Sequence, residues 1–247
     1  GKFNRGPYGA ASDATFEYDV DGQGTGFNAG LLYELTDEDT LGVFYRSQVR
    51  VHLKGTMSTH DLVGSQRALG FRGDASHITS ADTDLVLPAN VTVGWDHQFN
   101  DRFDAELDIG WTGWSAYDTF DTVFGDTTRT LAGFQHLDKD FIDVWSIHGG
   151  GTYRINDEWS LLGGYFFQQM AANKNNYTNE IPDGHRHGIN LGFEWRQDRW
   201  ILDFNYMADF LSPVDIENTS GVSNSTDIDG RYHGFIQSIT MGLRIEV

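Results

Sequence analysis

The chain of 247 residues has no cysteine, which excludes a disulfide framework and a thiolate metal site and leaves the redox compartment open. It has no run of the roughly 18 apolar residues that a transmembrane helix needs. Proline is scarce at 4 residues, and 17 Lys and Arg face 36 Asp and Glu, for a net charge of −19. Phosphate backbones are bound by basic surfaces, so this balance excludes nucleic acid as a partner. An acidic surface reads instead as solubility, or as contact with a saline exterior. No signal peptide is present, so an exported protein would not begin its primary product at Gly1. What the chain does have is glycine, at 29 residues, and aromatics, at 14%. Its mean hydropathy of −0.43 looks soluble, yet membrane strands that alternate apolar and polar residues average to a polar value too. The length suits one large β domain or a pair of small ones.

The clearest pattern runs from Leu41 to Lys54. Read as one extended strand, it places Leu41, Val43, Tyr45, Val49, Val51 and Leu53 on one face with Ser47. Arg46, Gln48, Arg50, His52 and Lys54 fall on the other, with Gly42 and Phe44. In a soluble sandwich the apolar row faces a second sheet; in a membrane barrel it faces lipid and the charged row faces the lumen. One strand does not choose between them.

The rest of the chain does. Residues 1–24 carry no strong period and read as a loop, and residues 25–247 repeat the alternation in nine strands. Short turns at Thr36–Asp39, Asn100–Asp101, Ile155–Glu158 and Arg196–Arg199 alternate with long polar connections at about 55–84, 115–143, 170–185 and 211–233. Sandwiches mix loop lengths without such a rule, whereas outer-membrane barrels join strands of about 9–11 residues by short periplasmic turns and long extracellular loops. Tyr33, Trp95, Tyr153, Trp159, Trp195 and Trp200 cluster near the short turns, as an interfacial aromatic girdle would. Pro88 costs its strand a ladder donor and is expected at an end or a bulge. The expected fold is therefore all-β: an antiparallel, up-and-down transmembrane β-barrel in the bacterial outer membrane, with residues 1–24 an extracellular loop. Nine strands is an odd number, and an open sheet leaves edges that hydrocarbon does not tolerate, so the chain reads as the C-terminal part of a larger barrel.

Several stretches resemble the FadL/TodX family of outer-membrane transporters for long-chain fatty acids and other hydrophobic compounds. Leu41 to Ser47 is similar to the family's G-x-x-Y-R-S strand, and Leu87-Pro88-Ala89 opens a strand ahead of a turn. Trp111-Thr-Gly-Trp114-Ser115 with Asp118 resembles W-x-x-W-S, and Ile181-Pro-Asp183-Gly-His185-Arg186 resembles I-P-D-x-D-R. Asp229-Gly-Arg231-Tyr232 is similar to the stretch before the last strand. The resemblance implies a barrel of about fourteen strands plugged by an N-terminal hatch, with this chain supplying the last nine; the hatch and upstream strands would be missing partners. It also implies passive uptake of a hydrophobic ligand, with membrane lipid around the barrel. Departures stand out, among them His185 in place of the acid of the I-P-D-x-D-R pattern. Ile142, in Phe141-Ile-Asp143-Val-Trp145, occupies a position where the family often has a lysine that meets a carboxylate, which favours a neutral hydrocarbon. The chain also ends in Val247 rather than an aromatic residue.

Candidate site residues follow from face and chemistry. Arg46, Arg50, His52 and Lys54 would attract an anionic headgroup, or simply neutralise the acidic row Asp104, Glu106 and Asp108. Phe44, Leu162, Phe166, Ile201, Met207 and Ile236 interrupt a polar lumen face, and so would line an apolar pocket or pack on an interior plug. A general diffusion porin, the alternative, would be polar throughout. No nucleophile or positioned water accompanies the carboxylates, so catalysis is not expected. His185 and His187 share a face without further ligands, and Asp227-Ile-Asp229-Gly230 lacks the later glutamate of a calcium loop; no metal or cofactor is expected. Asp183 is placed to pair with Arg186.

Overall fold

The computed structural model of the protein describes residues 2–3, 14–60, 78–125, 134–177, 183–217 and 230–246. Among them lie fifteen strands: β1 Lys2–Phe3, β2 Ala14–Gln23, β3 Asn28–Glu34, β4 Asp39–Arg46, β5 Val49–His60, β6 Ile78–Leu87, β7 Asn90–Asn100, β8 Phe103–Thr112, β9 Thr119–Phe124, β10 Phe134–Asp138, β11 Val144–Arg154, β12 Trp159–Gln168, β13 Arg186–Gln197, β14 Trp200–Ile216 and β15 Gly230–Ile245. The only helical pieces among these residues are 3-10 turns at Trp114–Ala116 and Lys174–Asn176. All strand pairs are antiparallel, in a nine-stranded sheet of order β15-β14-β13-β12-β11-β8-β7-β4-β3 and a six-stranded sheet of order β1-β2-β5-β6-β9-β10. The fold is all-β.

The short turns form where side chains supply turn hydrogen bonds. Thr36 Oγ1 accepts from the backbone N–H of Glu38 and Asp39 at 3.1 and 2.9 Å, tightening the β3–β4 turn. Asn100 Oδ1 does the same for Arg102 between β7 and β8, and Asn156 Oδ1 for Glu158 and Trp159 between β11 and β12. Asp198 takes a φ of 52° in the two-residue β13–β14 turn, a conformation that aspartate tolerates.

Some of the stretches expected to be loops contain strands, whereas the described part of 170–185 holds only the 3-10 turn Lys174–Asn176. Residues 14–23 form β2, and the stretches expected to be irregular at 55–84 and 115–143 contain half of β5, most of β6 and all of β9 and β10. The stretch 41–54 is likewise two strands rather than one. At the end of β4 the buried Ser47 accepts from Phe27 N–H through Oγ at 3.0 Å and donates its own N–H to Phe27 O at 2.9 Å, closing the β3–β4 ladder. Opposite this break, Arg46 pairs with Asn90 and Val49 with Leu87, leaving Pro88 and Ala89 between β6 and β7. Proline has no N–H to donate, so the ladder ends there on both sides and the hairpin passes from one sheet to the other. The break also leaves β3 and β4 at seven and eight residues, shorter than the expected 9–11.

The clusters of buried apolar residues lie in the six-stranded sheet and at the long-connection end of the nine-stranded one. One cluster joins Met57, Ala81 and Phe124, with Val20 against it, in the six-stranded sheet. Another joins Met170, Ala172, Tyr177, Val214 and Ile216, with Phe141 and Tyr232, around the ends of β12 and β14. On the nine-stranded sheet, by contrast, Leu31, Leu191, Ile239, Met241 and Leu243 are 60–68% exposed. An apolar face so extended and so bare needs a non-aqueous neighbour.

Candidate functional site

Register sorts the nine-stranded sheet into rows. Leu31, Val43, Val93, Ile109, Ile147 and Phe167 align across β3, β4, β7, β8, β11 and β12 on the apolar face. One residue along, Leu32, Gly42, Gly94, Asp108, His148, Phe166, Gly188, Asp209 and Ile236 align on the opposite, polar face. Along that face, toward the short turns, come Thr40, Asp96, Glu106, Gly150, Gly164, Asn190 and Met207, and then Asp104, Thr152, Leu162, Gly192 and Asn205. The apolar residues singled out from the sequence, Phe44, Leu162, Phe166, Ile201, Met207 and Ile236, all share this polar face.

Two adjoining hollows lie on it. One, of about 720 Å³, is lined by Leu32, Gly42, Phe44, Thr92, Asp96, Glu106 and Asp108 among others. Its neighbour, of about 230 Å³, is lined by Asp96, Asp104, Glu106, Leu162, Asn190 and Asn205 with several glycines. Asp96 and Glu106 border both, so the floor between them is acidic.

The basic row of the sequence is divided by the sheet switch. Arg46 stays on the polar face of the nine-stranded sheet, flanked by Asn28 and Asn90. Arg50, His52 and Lys54 belong to β5 in the six-stranded sheet and do not meet Asp104, Glu106 or Asp108. Their partners lie on β6: Arg50 Nη1 donates to Asp84 at 3.1 Å, His52 reaches Asp84 at 2.7 Å and Asp82 at 3.2 Å, and Lys54 lies 3.5 Å from Asp82. Asp84 is held below the usual carboxylate range, chiefly by the hydrogen bond from His52. In the same sheet His136 spans Asp121 at 2.6 Å and Asp138 at 2.8 Å, and the bond to Asp121 leads in raising its pKa.

Asp104 instead pairs with Arg154 at 2.6 Å. Arg244 binds Glu194 at 2.6 Å and Asp203 at 3.3 Å, and Arg196 binds Glu246 at 3.2 Å. These arginines form a paired belt at the short-turn end of the polar face. Alternation places them there, but only register across β11, β13, β14 and β15 brings their partners together.

Asp183 and Arg186 do not pair either. Asp183 Oδ2 accepts from the N–H of Ala171 and Ala172 at 2.8 and 2.9 Å, which pins the connection after β12. Arg186 donates through Nε, at 3.1 Å, and Nη2 to Oδ2 of Asp209, a fully buried acid that the sequence did not single out. Of the other motif positions, Trp111 lies on the apolar face opposite Val91 and Trp145, and Trp114 packs edge-on against Phe141 at 5.9 Å. Pro88 marks the sheet switch. Ile142 is exposed, whereas Lys139, nearby in sequence, is buried. Ile181, Pro182, Asp227, Asp229 and Val247 lie outside the described residues.

Residues 4–246 match the family model described as outer membrane protein transport protein (OMPP1/FadL/TodX). The chain belongs to this family. The chain is similar to a 47 kDa outer membrane protein of Pasteurella multocida, at 28% identity over 176 residues, covering 70% of this chain and 40% of the relative. It is equally similar to the long-chain fatty acid transport protein of Escherichia coli K12, 28% over 176 residues, covering 68% of this chain and 37% of the relative. Among solved structures, a Pseudomonas aeruginosa FadL homologue superposes with a TM-score of 0.74 at 25% identity, over 94% of this chain and 53% of that one. The chain thus spans about two fifths of the curated relatives' length and about half of the structural one. FadL-family membership makes it an outer-membrane protein.

Proposed function

We propose that this chain forms part of the wall of a closed outer-membrane β-barrel that takes up hydrophobic small molecules, such as long-chain fatty acids or hydrocarbons, passively and without covalent chemistry. The apolar face meets lipid and the polar face meets the lumen. The edges of the nine-stranded sheet, β3 and β15, have unpaired backbone groups that hydrocarbon does not tolerate. Closure by further strands, to about fourteen, with a hatch inside, accords with the family and with the share of the relatives that this chain covers.

The observation that carries the reading is the placement of Phe44, Leu162, Phe166, Met207 and Ile236 on the polar face. A water-filled diffusion pore favours polar groups there, whereas a lumen that handles apolar ligands is lined by such side chains. The test is uptake of a radiolabelled long-chain fatty acid and of labelled toluene by cells with and without the full-length gene. Uptake that falls on deletion and returns on complementation supports the proposal. Unchanged uptake of both compounds, together with large single-channel conductance of the purified protein in planar bilayers, would favour the diffusion pore.

A further inference from the structure

The polar face carries a charge gradient, and the geometry points to Arg46 as the residue that binds the headgroup of an anionic amphiphile whose tail lies along Phe44 and Leu32. This rests on the uptake reading and adds to it a ligand orientation and a specificity residue.

Arg46 ends β4, so its side chain stands one step beyond Phe44 on the same face, about 7 Å further toward the long connections. Its cross-strand neighbours are Asn28 and Asn90, both neutral. The next row holds Gly30, Phe44, Thr92 and Gly110, again without an acid. Carboxylates begin only with Asp108 in the row after that, and Asp96 and Glu106 close the hollow at its short-turn end. Among the described residues Arg46 has no ion pair, whereas Arg154, Arg186, Arg196 and Arg244 on the same face are each bound to a carboxylate. Among the described residues Arg46 is thus the arginine in the strands of this face without a carboxylate partner, and an anion is its natural complement. The hollow of about 720 Å³, which Phe44 and Leu32 line one row on from Arg46, has room for an alkyl chain. Leu32 leans over Gly42 and the Asp108 carboxylate over Gly94, and the acids beyond repel a carboxylate that enters head-first. The ligand is thereby held with its charged end toward the long connections.

The experiment uses the full-length protein in mild detergent and two fluorescent probes of equal chain length, a C16 carboxylate and the corresponding alcohol. We expect Arg46→Gln to weaken the carboxylate about tenfold, the scale of one charge-assisted hydrogen bond, and to leave the alcohol within about twofold. Phe44→Ala should weaken both probes, and only carboxylate binding should fall with added salt. Heat-modified gel mobility shows whether each variant still forms a folded barrel. Equal effects of Arg46→Gln on both probes, or none on either, would overturn the assignment. Should Arg46→Gln lose the folded barrel, the neutral Arg46→Met is measured in its place, and unchanged carboxylate affinity there would also overturn the assignment. If the parent protein binds the alcohol but not the carboxylate, this inference falls and the uptake reading stands. If the parent binds neither probe, this inference falls, and the uptake reading is decided by the cell assay with fatty acid and toluene.

Discussion

Replacing Arg186 by methionine should cost the protein about 3 kcal/mol of stability. Asp209 is 0% exposed, and its Oδ2 takes both the Nε and Nη2 hydrogens of Arg186, while Oδ1 has no hydrogen bond among the described residues. Its burial comes from its neighbours in the row: Ile236 on β15 stands beside it, and on β13 the bare Gly188 lets the ring of Phe166 lean across. Removing one member of a buried pair leaves an uncompensated charge, a loss of about 3–5 kcal/mol. The Arg186 side chain remains 34% exposed, so water already screens part of the attraction and the lower end applies. Asp209→Asn keeps an acceptor for the guanidinium and loses only its charge, and should cost about 1–1.5 kcal/mol. The double variant Arg186→Met with Asp209→Leu replaces the pair by apolar groups of similar bulk and should return to within about 1 kcal/mol of the parent. The assay is reversible urea unfolding of the full-length protein in lipid vesicles, followed by tryptophan fluorescence. A single variant Arg186→Met that loses less than about 1 kcal/mol, or a double variant as unstable as that single one, would refute the reasoning.

Gly188→Ala should destabilise by about 1–3 kcal/mol, because its Cβ would lie 1.9 Å from Phe166 Cε1 and the ring must leave its place over the row; trimming that ring in Phe166→Leu should recover part of the loss. Asp183→Ala should raise hydrogen exchange at the Ala171 and Ala172 amides, each of which loses its acceptor, while amides in the middle of β12 stay protected. The His136 clamp gives a pH dependence of definite sign. Its folded pKa is raised by Asp121 and then Asp138, so its contribution is complete below the ordinary histidine value near 6.5 and is lost as pH rises through the higher folded value. Exchange in β9 and β10 should therefore accelerate through that window, with the dependence abolished in His136→Gln; a pH-independent rate in the parent beyond the intrinsic chemistry of exchange would count against the clamp.

The hairpins were legible because each depends on neighbours in sequence. Two-residue alternation gives a strand its faces, and Thr36, Asn100, Asn156 and Asp198 carry their turn chemistry in their own side chains. The apolar interruptions of the polar face were legible for the same reason. What alternation lacks is any mark of which sheet a strand joins. Val49, Val51 and Leu53 continue the period of Leu41, Val43 and Tyr45 without a slip, so the row from Arg46 to Lys54 reads as one surface. The break depends on two distant residues acting together: Ser47 closes on Phe27, and Pro88 withholds a donor across the hairpin. Ion-pair partners are hidden in the same way. Asp183 and Arg186 are three apart in sequence, but as Arg186 enters β13 it lies across from Leu211 with Asp209 on the same face, and the acid close in sequence has already turned to cap Ala171 and Ala172. Arg244 finds Glu194 across β14, fifty residues back in the chain. The functional consequence follows from the switch. It ties three of the four cations to Asp82 and Asp84 and leaves Arg46 as the one of the four on the nine-stranded sheet, and it is on this contrast that the role proposed for Arg46 rests.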